Sequence, residues 1–152
     1  MKWITLIVLF FSPLSYAEAD LKIALPNGTV QTLSVQQIES QLEPQRVSTP
    51  LPWYKGTRNF TAIKLSSLLD YFHVKNAKRI KFKALNDYVS VTPVSDIQRY
   101  QPYLAFEMDG KRMRIRDKGP FWLIYDLSKT PSLDTEYFRQ QMTWQIATIT
   151  IE

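Results

Sequence analysis

Leu104-Ala105-Phe106-Glu107-Met108-Asp109-Gly110-Lys111-Arg112-Met113-Arg114-Ile115-Arg116 is the stretch that decides the fold. Two extended runs flank Asp109-Gly110, and Asp-Gly supplies the positive φ values that a type I′ hairpin turn requires. The segment therefore predicts a tight antiparallel pair, with Leu104 to Met108 as one arm and Lys111 to Arg116 as the other. Just downstream, Phe121 to Tyr125 is an apolar run of core-strand length. Upstream, Ile80, Phe82 and Ala84 alternate with Arg79, Lys81 and Lys83, the pattern of a half-buried strand. Val89, Val91 and Pro93 resume an extended pattern after Asn86-Asp87-Tyr88, and Ser95-Asp96 opens a short helical turn.

Further out, Leu21, Ile23 and Leu25 lead through Pro26-Asn27-Gly28 to Val30 and Leu33, a strand, a turn and a returning strand. Ser34 and Gln37 have the spacing of a capping box, with Leu33 placed to staple against Ile38, so a helix follows. Pro44, Pro50 and Pro52 exclude helix from the stretch ending at Gly56 and predict an ordered surface loop leading to Trp53-Tyr54. Leu65, Leu68, Leu69 and Phe72 recur at helical spacing, a helix is expected near Leu133 to Met142, and Trp144 to Ile151 reads as a closing strand. Strands and short helices mix without a βαβ beat. The expected class is α+β, a single domain with a mixed, mainly antiparallel sheet and short helices.

The chain has 152 residues, with Met1 to Ala17 reading as an export signal and residues 18–152 as one domain. Lys2, the apolar run Ile4 to Phe11, and Ser15 and Ala17 before Glu18 fit the positive, apolar and small-residue parts of a secretory leader. The expected location is the periplasm, with no direct insertion in the membrane after cleavage. A hydrophobic content of 45% with only 4 Gly argues for a packed core rather than disorder. The chain has no Cys and 1 His, which excludes disulfides, a thiolate nucleophile, zinc fingers, iron–sulfur clusters and multi-His metal sites. His73 falls at a helix end, where it reads as a surface or C-terminal dipole partner rather than a base. No P-loop, nucleophile elbow or dinucleotide-binding glycine pattern is present. A net charge of +5 suits an anionic ligand or an acidic partner.

Three constellations could carry chemistry. Arg112, Arg114, Arg116 and Lys118 alternate with Met113, Ile115 and Asp117, and so would project from one face of a strand. That row is either a solvated edge protected by charge or an anion site, with Gly119 permitting close backbone approach to a ligand. The second is Trp53-Tyr54-Lys55-Gly56-Thr57-Arg58-Asn59-Phe60, whose aromatic, cationic and amide groups suit a flat heteroaromatic ligand, or else plug the core with Trp53 and Phe60. The third, Asn86-Asp87-Tyr88, is either turn chemistry or a carboxylate that accepts the paired N–H donors of an aminopyrimidine edge. A nucleic-acid role for the cationic row is disfavoured, because export removes the chain from most nucleic acid.

Taken with Leu65-Ser66-Ser67-Leu68-Leu69, Met108-Asp109-Gly110-Lys111 and Arg116-Asp117-Lys118-Gly119-Pro120-Phe121-Trp122-Leu123-Ile124-Tyr125, these motifs resemble small exported proteins of the sulfite-oxidase, or oxidoreductase molybdopterin-binding, fold over about residues 20 to 152. The resemblance implies a molybdenum held by a cysteine thiolate and the molybdopterin dithiolene, and this chain has no Cys to offer. It is similar instead to the cofactor-free branch, the PruR-type periplasmic pterin-binding proteins. That likeness implies a non-enzymatic protein with a reduced pterin as ligand and no catalytic cofactor. Its partner would be the periplasmic domain of a membrane-bound GGDEF-EAL receptor, through which it would regulate cyclic-di-GMP and biofilm formation. The alternative is a molybdopterin-dependent oxidoreductase with non-cysteine metal ligation. For a pterin, the candidates are Trp53, Tyr54, Tyr88, Trp122 and Trp144 for the ring faces, Asp87 or Asp117 beside Asn86 for the donor edge, and Arg58, Arg114, Arg116 and Lys118 for the acceptors.

Overall fold

In the computed structural model, which describes residues 20–152, β1 (Leu21–Ala24) and β2 (Val30–Leu33) form the hairpin that Pro26-Asn27-Gly28 predicts. The expected leader, residues 1–17, lies outside the described residues. Helix α1 (Val35–Gln41) starts at Ser34, whose hydroxyl accepts from the Gln37 amide while the Gln37 side chain accepts from the Ser34 amide. Next come β3 (Gln45–Pro50), β4 (Thr57–Lys64), α2 (Leu65–Tyr71), β5 (Arg79–Ala84), β6 (Val89–Pro93) and α3 (Val94–Tyr100). The chain closes with β7 (Tyr103–Met108), β8 (Lys111–Arg112), β9 (Trp122–Ile124), α4 (Glu136–Gln141) and β10 (Ile146–Ile151).

Among the described residues ten strands make two sheets, so the α+β expectation holds. The first has the order β2-β1-β10-β5-β6, and it is mixed because β1 and β10 run parallel while its other pairs are antiparallel. The second runs β3-β4-β7-β8, with β9 pairing the near end of β7 on the same side as β8. One core lies between the sheets and α1 to α3, taking Ile23, Phe82 and Ile149 from the first sheet and Leu104, Phe106 and Leu123 from the second. A second core lies on the other face of the second sheet and takes Phe60, Ala105, Trp122, Ile124 and Tyr125. β7 and β9 are therefore buried on both faces, which explains why Tyr103 to Phe106 and Phe121 to Tyr125 read as continuous apolar runs. A pair of cores back to back leaves Trp122 at the base of the second one, fully buried.

Two expectations need correction. The stretch from Pro44 to Gly56 is not all loop, because Gln45–Pro50 is an edge strand on β4. Pro44 precedes that strand and Pro50 ends it, both on a sheet edge where a missing N–H is tolerated, and Arg58, Asn59 and Phe60 sit on β4 rather than on a loop. The arm after Asp109-Gly110 is also shorter than predicted. β8 ends at Arg112, and Ile115–Asp117 form a 3-10 turn, so the four cations do not share a strand face. The cause is competition for the edge of β7, because Tyr103 to Ala105 pair with β9. To bring β9 there the chain folds back after Met113, and Gly119 packs on the Met113 carbonyl so closely that a Cβ would overlap it. The close approach that Gly119 permits is thus to its own backbone.

Candidate functional site

Four elements converge above Trp122. The loop between β3 and β4 carries Trp53 and Tyr54, the β5–β6 turn carries Asn86 and Tyr88, the end of α4 carries Arg139 and Gln140, and the link into β10 carries Trp144. Between them lies a cavity of about 350 Å³. Trp53 and Trp144 give it aromatic walls, Asn86, Tyr88, Arg139 and Gln140 give it polar groups, and Ala84, Met142 and Thr143 complete the lining. An apolar-walled cleft with a few convergent polar groups is the usual form of a small-molecule site.

The walls are rigidly held. Trp53 and Trp144 meet edge to face with ring centroids 5.4 Å apart. Trp122 lies beneath both, at 5.6 and 6.3 Å, and its indole N–H donates to the Met142 carbonyl at 3.0 Å. On either side of Trp144 the backbone is fixed, since the Thr143 carbonyl accepts from Leu123 at 2.9 Å and the Gln145 amide donates to the Lys118 carbonyl at 3.1 Å. The Tyr88 hydroxyl donates to the Gln140 carbonyl at 3.1 Å, tying the β5–β6 turn to α4 across the rim. Arg139 is oriented by Asp134, which accepts from its Nε at 2.7 Å.

Behind the walls is a cationic flank. The Lys118 ammonium lies 3.6 Å from the Trp144 ring centroid and 5.4 and 5.7 Å from those of Trp122 and Trp53. Burial pushes its pKa down from the ordinary lysine value. Arg58 lies over the Tyr54 ring at 5.0 Å and pairs with Asp109 at 3.0 Å. Asp109 thus serves the hairpin turn and also holds β4, accepting from the Asn59 amide at 3.1 Å. Burial raises the Tyr54 pKa first, partly offset by Arg58 and reinforced by Asp117 and Asp109.

Of the residues singled out in the sequence, Trp53, Asn86, Tyr88 and Trp144 line the cavity, while Tyr54, Arg58 and Lys118 back its aromatic wall. Trp122 offers no face to a ligand because it is fully buried; it supports the faces that do. Asp87 is turned away, with its carboxylate 82% exposed and paired to Lys83 at 2.8 Å, which lowers its pKa through a hydrogen bond and charge. Its positive φ of 66° marks a turn position. Arg114 holds Asp117 at 2.6 Å, and Arg116 lies 4.0 Å from the same carboxylate on the exposed 3-10 turn. Arg112 is taken by Glu39 and Glu107 at 2.7 and 3.2 Å. Arg139, Gln140, Met142 and Thr143 escaped the sequence reading. Helical spacing marked α4 but not which of its ends would face the turn after β5.

These placements set two expectations. Asp87→Asn, which keeps a residue tolerant of positive φ, will change ligand affinity less than about twofold in a calorimetric titration, whereas a carboxylate reading the ligand edge would cost roughly 2 kcal/mol. Alanine at Arg112, Arg114 or Arg116 will each change affinity by less than about 0.5 kcal/mol, and what effect there is will fade with added salt.

The arrangement is a sulfite-oxidase-like α+β domain with an aromatic cleft at one end. Residues 3–125 match the model of the oxidoreductase molybdopterin binding domain, and the chain belongs to that family. No curated protein matches it. Trp53, Asn86 and Tyr88 fall inside the matched span, and Arg139 to Trp144 lie beyond it. The donor set fits one part of the family's cofactor. Aromatic walls and amide and guanidinium groups suit a planar pterin, but the chain has no thiolate to give a molybdenum ion. Among the described residues no group of three His, Asp or Glu side chains is gathered to hold a metal.

Proposed function

We propose that this protein is a non-enzymatic, PruR-type pterin-binding protein that is exported to the periplasm, holding a reduced pterin in the cleft that Trp53 and Trp144 line. The observation that carries the reading is the combination of an aromatic, amide-lined cleft in a molybdopterin-family domain with a chain that lacks cysteine. A pterin needs faces to stack on and in-plane partners for its amino and carbonyl edge. Trp53 and Trp144 supply the faces, and Asn86 and Gln140, whose carboxamides both donate and accept, supply the edge without a carboxylate. Arg139 supplies a cation for the ring carbonyl or for a polar substituent. None of this involves proton abstraction or a nucleophile.

In this reading the loaded protein regulates the periplasmic domain of a membrane-bound GGDEF-EAL receptor, and through it cyclic-di-GMP turnover and biofilm formation. The test is mass spectrometry and fluorescence of small molecules released from the purified, denatured protein, together with elemental analysis of the native protein. A pterin without stoichiometric metal supports the proposal. One molybdenum per chain would overturn it in favour of an oxidoreductase with non-cysteine ligation.

A further inference from the structure

We propose that Lys118, acting through Trp144 rather than by touching the ligand, gives the cleft its preference for the reduced over the oxidised form of a pterin. This rests on the pterin reading above.

Lys118 sits against the wall and not in the cavity. Trp53 and Trp144 line the cleft while Lys118 does not, and its ammonium lies 3.6 Å from the Trp144 ring centroid. Among the described residues no carboxylate pairs with it; the neighbouring Asp117 is held by Arg114 at 2.6 Å. Burial is the one cause that moves its pKa. The cation is thus partly desolvated and lies against indole faces, a setting that strengthens a cation–π contact over an exposed one. Its position is fixed by backbone, because Lys118 has a φ of 70° and its carbonyl accepts from Gln145, the residue after Trp144.

An ammonium against an indole draws π density toward itself and leaves the rest of the ring poorer in electrons. Trp144 therefore presents the cleft with an electron-poor wall, on which an electron-rich ring stacks better than an electron-poor one. Oxidised and reduced pterins differ in this property. The oxidised bicycle is an electron-deficient heteroaromatic. Reduction adds electrons and hydrogens to its pyrazine ring, enriches that ring, and turns ring nitrogens from acceptors into N–H donors. The Asn86 carboxamide oxygen at the rim accepts from the Tyr88 amide at 3.2 Å and keeps a second lone pair to meet those donors. Lys118 thus works as a positioning residue that sets redox preference without entering the cleft.

The experiment measures the affinities of pterin and dihydropterin by tryptophan fluorescence quenching under anaerobic conditions, for the wild type and for Lys118→Met, Lys118→Gln and Lys118→Arg. Met and Gln keep the stem over the indoles and remove the charge, while Arg keeps the charge; thermal melts identify which neutral variant is folded. The wild type is expected to favour dihydropterin. The neutral variants are expected to lower the ratio of the two affinities about fivefold, and Arg to restore most of it. If the neutral variants weaken both forms equally, or the wild type shows no preference, the proposal is wrong although the pterin reading stands. If the wild type binds neither form, the pterin reading falls and takes this proposal with it.

Discussion

Trp144→Ala is expected to lower pterin affinity by roughly 1–3 kcal/mol, about five- to more than a hundredfold, the range that alanine substitution gives for one aromatic platform under a heterocyclic ring. The expectation follows from where the ring stands. Trp144 is half-buried, so one part of it faces the cleft while the rest leans on Trp53, Trp122 and Lys118. Deleting it removes the stacking surface and also frees the Lys118 ammonium to move. Titration with a reduced pterin, followed by calorimetry because a reporting indole is lost, gives the number. Trp144→Phe separates the two parts of the effect: it keeps an apolar face, and so it should recover much of the affinity. An unchanged affinity in the alanine variant would place the ligand outside this cleft.

Trp144 also shows what a single sequence reveals and what it hides. Its residue type marked it as a candidate, and so did those of Trp53 and Tyr88, because exposed aromatic and amide groups near turns are legible in one dimension. Convergence is not. Asp87 and Asn86 are neighbours with the same turn chemistry, yet a positive φ at Asp87 sends its carboxylate to Lys83 while Asn86 lines the cavity. A change of direction within one turn decides which of them can meet a ligand, and composition carries no trace of it. The cationic row failed for a related reason. Alternation predicts a strand, but β9 competes for the same edge of β7, and that pairing joins residues far apart in the chain.

β6 is a further instance. Val89, Ser90, Val91 and Thr92 alternate as a strand should, and the extended pattern was legible. The facing was not: Ser90 and Thr92 point into the molecule while Val89 and Val91 stay 45% and 44% exposed. Register on the sheet, fixed by pairing Phe82 with Ser90 and Lys81 with Val91, overrides the usual rule that the apolar set turns inward. Ser90 gains a partner there, since the Thr143 hydroxyl donates to it beside the cleft. By contrast, local signals were sufficient where the interaction is local. The Ser34–Gln37 box and the Asp109-Gly110 turn each depend on residues within three positions, and both form as the spacing requires.

Trp122→Ala is expected to be the most damaging single change to stability, costing about 3–5 kcal/mol and lowering the melting temperature by roughly 10 to 20 °C. Trp122 is fully buried at the base of the second core, within 5.6 to 6.3 Å of Trp53, Tyr54, Phe60 and Trp144. Its removal leaves a cavity that β7 and β9 cannot close, because both strands are packed on their other face as well. It also strands the Met142 carbonyl that its N–H satisfies at 3.0 Å. Trp122→Phe divides these terms, retaining much of the volume while losing the donor, and should cost about 1–3 kcal/mol. Urea titration with near-ultraviolet circular dichroism reads both. Binding supplies the second half of the test. Because Trp122 braces Trp53 and Trp144 without facing the cleft, the phenylalanine variant, if folded, should lose affinity through looser walls and recover part of its stability when saturated with ligand. A small loss of stability in the alanine variant would mean that the walls are braced from elsewhere and that Trp122 is not the floor of the site.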